Sequence, residues 1–360
     1  LVTGSAPHPG TTSPQQGWHE HGSDDLWSAL CAASKEAFSQ FDGNKEDIVG
    51  ASISSQRICV CIVDENAELI HNPISWMDGR WQMNYQSLGA MPEDGEDLAY
   101  KVFMPYYSQA NWMKYNDPET YEKAHKYLNV SGYLSAKLTG EFKDAIANNI
   151  GWPYDYQKWE GFVQDRYIEL MGYRKDQLPE PLQPGGLIGR VTAAASAQTG
   201  IPEGCPLYTS AGDKQCELLG AGIVKHGQAY VTLGTLSGID VVSKDYTPSP
   251  TFAYSTYLAC YPGMYNYEAP LGKGFWLVSW FRENFGQDLK ITAEAQGLSI
   301  EELLNKEADA IPAGAQGLVA LPDWSPGGIR PFGKGMFIGF DDRHGRGHMY
   351  RALVEGIRMD

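Results

Sequence analysis

Transferring a phosphoryl group to a hydroxyl requires a carboxylate that can take the hydroxyl proton and a turn whose backbone N–H groups can hold a phosphate. One stretch of the chain offers both: Thr209-Ser210-Ala211-Gly212-Asp213-Lys214-Gln215-Cys216-Glu217-Leu218-Leu219-Gly220-Ala221-Gly222, followed by Gly234-Thr235-Leu236-Ser237-Gly238. Asp213, set between a glycine turn and a helical run, is placed to act as a general base, and the Gly234-Thr235 turn is placed to cradle a phosphate. Each piece also has a plainer reading, since an Asp before a helix caps it and Gly-Thr-x-Ser-Gly forms an ordinary turn. The order of the pieces favours chemistry. Two further polar groups stand out, Ser54-Ser55-Gln56-Arg57 and the trio Trp76, Asp78 and Arg80. Polar corners at strand ends are where ligands are met, although an Arg and an Asp so close together also read as a surface ion pair. His344 and His348 are four apart on an apparent helix, a spacing that can hold a metal. With no Glu between them, and with Gly345 and Gly347 there to weaken the helix, they read as a surface pair, and no metal ligand is assigned.

The elements that must position these residues alternate between strand and helix. A helix is expected over 24–38, strands over 48–53 and 58–63, with Cys59 and Cys61 on one face, and a turn at 64–67. Residues 96–180 read as mainly helical and rich in aromatics, including a helix from Tyr121 to Leu138 that stops at Gly140. The Asn129-Val130-Ser131 sequon falls inside that helix and is set aside. After Gly222 come strands at 228–233, 239–242, 251–259 and 264–267, helices near 275–285 and 300–310, and a buried strand at 317–321.

Composition narrows the function. A chain of 360 residues with 42% hydrophobic and 20% charged residues suits a two-domain globular protein rather than one core. The formal charge of −16 argues against a nucleic-acid partner. No apolar run approaches the roughly 18 residues needed to span a bilayer, and Leu1 to Gly10 lack the pattern of a signal peptide, so a cytoplasmic location and no membrane partner are expected. The six cysteines form no Cys-x-x-Cys pair and are expected to be reduced and mostly buried.

In this order, the motifs resemble the FGGY family of carbohydrate kinases, which includes glycerol kinase, xylulokinase, ribulokinase and gluconate kinase. The resemblance rests on Gln56 after a strand, Trp76-Met77-Asp78-Gly79-Arg80, Tyr127-Leu128 to Leu138-Thr139-Gly140-Glu141-Phe142, Gly212-Asp213 to Gly220-Ala221-Gly222, Gly234-Thr235, Gly317-Leu318 to Leu321-Pro322, and His348 to Glu355-Gly356. It implies an α/β fold of two ribonuclease-H-like (actin-like ATPase) domains flanking a cleft: residues 1–222 for the sugar and 223–360 for the nucleotide. It also implies ATP-dependent phosphorylation of a small sugar or polyol, with ATP and Mg²⁺ as cofactors and a homodimer as a possible assembly. By motif, Asp213 matches the catalytic base; Gln56, Arg57, Trp76, Asp78 and Lys214 match the substrate side; and Gly234, Thr235 and Gly317 match the nucleotide side. Ile58 after Arg57 and Lys214 after Asp213 depart from the best-known subgroups, which leaves the sugar open. These departures also permit a catalytically inactive, kinase-like sugar-binding protein. A glycoside hydrolase would need two carboxylates roughly 5 to 9.5 Å apart across a cleft, and the sequence offers no such pair. The family's first strand with its Asp-x-Gly-Thr turn and its Gly-Gly-Gly adenosine segment are not found between Leu1 and Asp360. The resemblance therefore implies a chain truncated at both ends, expected not to transfer phosphate by itself.

Overall fold

The computed structural model describes residues 1–80, 108–234, 237–249, 253–270, 274–322, 324 and 334–359. The chain divides into two compact units. The first comprises Leu1–Val224, Ser243–Tyr246 and Tyr257–Asn266; the second comprises Lys225–Val242, Thr247–Thr256 and Tyr267–Asp360.

In the first unit the chain enters the helix Asp25–Ser39. It then forms β1 (Ala51–Ser55) and β2 (Val60–Val63), and the side chains along β2 alternate between two cores. Cys59, Cys61 and Val63 pack with Leu128, Val130 and Tyr133, whereas Val60 and Ile62 face Ile74, Trp112 and Tyr127. The shared face expected for Cys59 and Cys61 is thus present, and follows from the two-residue repeat of a strand. The turn beyond β2 is closed by Asp64, whose Oδ1 accepts the Asn66 and Glu68 N–H groups at 2.9 Å each.

The single helix expected from Tyr121 to Leu138 is corrected. The chain instead forms a helix Pro118–Lys123, then β3 (Lys126–Asn129), then a second helix Val130–Thr139. β3 pairs antiparallel with β2, with Tyr127 opposite Ile62 and Leu128 opposite Cys61. This pairing overrides the local helical pattern, because both faces of β3 are buried and its backbone needs a ladder partner. Asn129, at the strand end, is fully buried, so the sequon is closed off for a reason other than the one expected. The second helix ends at Gly140, whose φ of 77° requires the left-handed region that glycine adopts without penalty.

β4 (Lys143–Ala145) pairs with β5 (Glu180–Leu182). Helices Gln109–Asn116, Asp165–Leu170 and Ala193–Thr199 complete this part of the chain. β6 (Leu187–Arg190) and β7 (Pro206–Gly212) join β1 in a three-stranded sheet of order β1-β7-β6.

Later in the chain, β8 (Ala229–Leu233), β9 (Ser237–Ser243), β10 (Ser255–Leu258) and β11 (Tyr265–Pro270) form a sheet of order β10-β11-β9-β8. In the second unit, helices Trp276–Phe285, Ile300–Asp309 and Arg346–Met359 bury Leu277, Phe281, Leu304, Tyr350, Leu353 and Ile357 around one core. They pack with β12 (Val319–Leu321), which pairs antiparallel with β13 (Met336–Ile338). The surface histidine pair is also corrected. His344 precedes the last helix rather than lying on it, and its side chain is 1% exposed with Nδ1 3.1 Å from Asp341. Among the described residues no helix is long and apolar enough to cross a membrane.

Candidate active site

β1 and β7 run parallel, with Ala51 opposite Leu207 and Ser55 opposite Gly212. Their C-terminal ends therefore open at the same end of the sheet, the position from which α/β sheets present ligand contacts. Gln56 and Arg57 leave β1 there. Asp213 leaves β7 there as the first residue of the helix Asp213–Gly220, with Gly212 as its N-cap. The Ser210 hydroxyl donates to the Ile53 carbonyl oxygen, fastening the two strands just before they end.

This parallel register brings Arg57 and Asp213 together. Arg57 Nε lies 3.4 Å from Asp213 Oδ1, and the Asp213 side chain keeps 42% of its exposure. The Lys214 N–H donates to the same Oδ1 at 2.9 Å. Both contacts fall on Oδ1. The Arg57 guanidinium also sits 5.3 Å from the centre of the Tyr257 ring, within cation–π range. Its stem crosses the backbone of Gly212 so closely that a Cβ there would stand 2.5 Å from Arg57 Cγ, which makes glycine the residue that fits. Backbone strain marks the same corner: Ile58, a β-branched residue, has φ of 62° directly after Arg57. Lys214 turns its ammonium away to Glu217 at 2.9 Å. Burial opposes the charge on that ammonium, but the hydrogen bond to Glu217 and the nearby Asp213 outweigh it and raise its pKa.

Residues 4–220, which hold β1, β7 and the Asp213 helix, match the N-terminal domain of the FGGY family of carbohydrate kinases. The chain belongs to that family. It is 33% identical over 349 residues to the uncharacterized sugar kinase YgcE of Escherichia coli (strain K12), an alignment covering 96% of this chain and 64% of that protein. It is 26% identical over 308 residues to the autoinducer-2 kinase of Enterobacter sp. (strain 638), covering 83% of this chain and 57% of the relative. The chain thus spans less than two thirds of the length of these relatives. Among solved structures, the ligand-bound xylulose kinase from Lactobacillus acidophilus superposes with a TM-score of 0.80 at 21% identity, over 98% of this chain and 70% of that one. The fold is the actin-like, ribonuclease-H-like α/β fold of the FGGY sugar kinases.

The other sequence-derived residues of this FGGY chain fall into different surroundings. Gln56 turns to His21, with Nε2 to Nε2 at 3.3 Å. Burial, followed by the nearby His8, holds the His21 imidazole below its ordinary value, so the neutral ring can accept the amide N–H. Trp76 is 46% exposed, and its N–H donates to Cys59 Sγ at 3.3 Å. Asp78 does not present a free carboxylate. It is 2% exposed, Oδ1 receives Arg80 Nε at 2.9 Å, and Oδ2 receives Arg80 Nη2 at 2.9 Å and the His19 N–H at 2.6 Å. Arg80 also donates to Glu20 at 2.6 Å and stacks 4.1 Å from the Trp18 ring centre. The ion pair foreseen at the surface is therefore corrected to a buried cluster.

Gly234 and Gly317 belong to the second unit. The Gly234 carbonyl accepts the Phe275 N–H at 2.9 Å. Gly317 has φ of 97° and its N–H donates to Gly314 at 2.8 Å. Thr235 lies outside the described residues. Among the described residues no group of three or more His, Cys, Asp or Glu is disposed to hold a metal ion. Sequence reading missed His21, Tyr257 and Glu20, whose relevance comes only from contacts between distant parts of the chain. All six cysteines are free thiols, and Cys31, Cys216 and Cys260 are only half-buried.

Proposed function

We propose that this protein phosphorylates a hydroxyl of a small sugar or polyol with ATP, and that Asp213 is the general base. The observation that carries the reading is the half-exposed Asp213 carboxylate at the shared end of β1 and β7. Oδ1 is engaged by Arg57 and the Lys214 N–H, so Oδ2 is the oxygen offered to a substrate. A sugar hydroxyl is too weak an acid to ionise alone near neutral pH, so its proton passes to Oδ2 as the oxygen–phosphorus bond forms and ADP departs. Arg57 and the helix N–H fix the carboxylate so that little reorganisation accompanies the transfer. Gln56, Trp76 and Lys214 contact the sugar on this reading, whereas Asp78 positions its segment through Arg80. On this reading the first unit takes the sugar and the second, through Gly234, Thr235 and Gly317, takes the nucleotide. Mg²⁺ would arrive with the nucleotide and would neutralise charge on its phosphates.

The names of the relatives, autoinducer-2 kinase and xylulose kinase, support a polyhydroxylated carbon-chain substrate. The test is an ADP-release screen of the full protein over pentuloses, hexuloses, sugar acids and short polyols. Turnover with one of them is expected. Saturable sugar binding with no ADP release from any member would favour an inactive, sugar-binding relative.

A further inference from the structure

The Asp213 helix carries a second reactive group one turn past its head. Cys216 Sγ lies 3.8 Å from Cys260 Sγ, on the connection between β10 and β11. Both residues are half-buried, so a small reagent can reach them, while Cys59, Cys61 and Cys205 are buried. Cys216 Sγ also lies 3.5 Å from the Ala211 carbonyl oxygen, inside the β7 end that delivers Asp213. From Cys260 the chain leads back along β10 to Tyr257, whose ring faces the Arg57 guanidinium that meets Asp213. The thiol pair and the Arg57–Asp213 contact thus close one ring of neighbours.

We propose that Cys216 and Cys260 are an oxidisable dithiol that hydrogen peroxide converts to a disulfide, fixing the Asp213 helix to the β10–β11 connection. The Cys216 thiolate attacks the peroxide O–O bond, forming a sulfenic acid and releasing hydroxide, which takes up the proton lost by Cys216. The Cys260 thiol then displaces the sulfenic hydroxyl; its proton leaves with that hydroxyl as water, and the S–S bond forms. Two thiols are oxidised, and one peroxide is reduced to two waters. A disulfide needs about 2.05 Å between sulfurs, a closure of about 1.8 Å from the 3.8 Å observed. Side-chain rotation supplies part of that closure and the adjoining backbone the rest. The roles of the two thiols follow from their surroundings. The contact with the Cys260 thiol lowers the Cys216 pKa against the opposing effect of burial, and hydrogen bonds with Ser54 and Ser210 add to this. The same contact, with burial, raises Cys260. Cys216 is therefore the attacking thiol and Cys260 the resolving one.

The effect on catalysis rests on the reading of Asp213 as the base. Drawing Cys216 toward Cys260 pulls on the first turn of the helix, and displacements of this kind at a reacting group cost on the order of tenfold or more in rate. In the test, the full protein, reduced and freed of reductant, is treated with a small excess of hydrogen peroxide. It is then blocked with N-ethylmaleimide and mapped by mass spectrometry without reduction. The expected result is one cross-link, Cys216 to Cys260, reversed by dithiothreitol. In Cys260→Ser protein, dimedone should trap Cys216 as a sulfenic acid; in Cys216→Ser protein, Cys260 should stay unlabelled. Oxidation that leaves the pair unlinked, or that modifies Cys31 first, overturns the proposal. ADP release measured on the same samples should fall by at least about tenfold on cross-linking and return on reduction. Cross-linked protein with full turnover would overturn the coupling to Asp213. Absence of turnover in the reduced protein would instead count against the kinase reading, with the cross-link still scored by mass.

Discussion

Arg57 meets a carboxylate, an aromatic ring and a bare backbone, and each contact constrains the orientation of Asp213. If Asp213 is the base, Asp213→Asn keeps the side chain's shape and its contacts at Oδ1 but cannot accept the substrate proton. Turnover should fall by about 10² to 10⁴ with sugar affinity preserved. ADP release set against calorimetric sugar binding separates these effects, and a normal rate would reduce Asp213 to a helix-starting residue. Arg80 offers a contrasting case, in which charge serves structure. Its guanidinium is 1% exposed between Asp78 and Glu20, so Arg80→Met would leave two buried carboxylates without their counterion. Breaking a buried pair from one side costs about 3–5 kcal/mol. Urea unfolding should show a loss of that order, and a loss below about 1 kcal/mol would mean that the carboxylates find water or take up protons instead.

At the scale of elements, local signals were read well and pairings were not. The helix at Asp213 was legible because a glycine and a helical run are neighbours in sequence, and the helices at 276–285 and 300–309 were legible from their apolar spacing. The meeting of Arg57 with Asp213 was not, because it depends on the parallel register of β1 with β7. β3 was read as helix for the same reason: its strand state comes from β2. Ile58 shows what such a corner stores. A β-branched residue at φ of 62° is strained by about 1–3 kcal/mol, and its side chain is too exposed for burial to offset this. Ile58→Asn, which tolerates the left-handed region, should therefore stabilise the protein by up to about 1 kcal/mol. Thermal unfolding checks this, and destabilisation would show that the Ile58 side chain contributes more than the strain costs. If the strain aims Arg57, the same variant should lose turnover while gaining stability.

At the scale of the whole molecule, stability as a function of pH carries the signature of one buried acid. Asp144 is fully enclosed, with its oxygens accepting from Ser131 at 2.8 and 2.9 Å, from the Ala145 N–H at 2.8 Å and from Asn149 at 3.2 Å. Burial outweighs those hydrogen bonds and pushes its carboxyl up to about 6 from 3.8. Between these values the folded chain holds the proton that the unfolded chain has lost, so this group's contribution falls as pH rises. It is most favourable below about 4, declines through about 6 and is level above that. The change is on the order of 3 kcal/mol, against a background of exposed carboxylates whose pairing acts in the opposite direction. A difference measurement isolates it. Asp144→Asn cannot ionise, so the gap in unfolding free energy between wild type and variant should shift in the variant's favour as pH is raised from 4 to 7. The shift should be concentrated between pH 4 and 6. A gap independent of pH would show that Asp144 titrates alike in the folded and unfolded chain, and that its enclosure by Ser131 and Asn149 solvates the charge as well as water does.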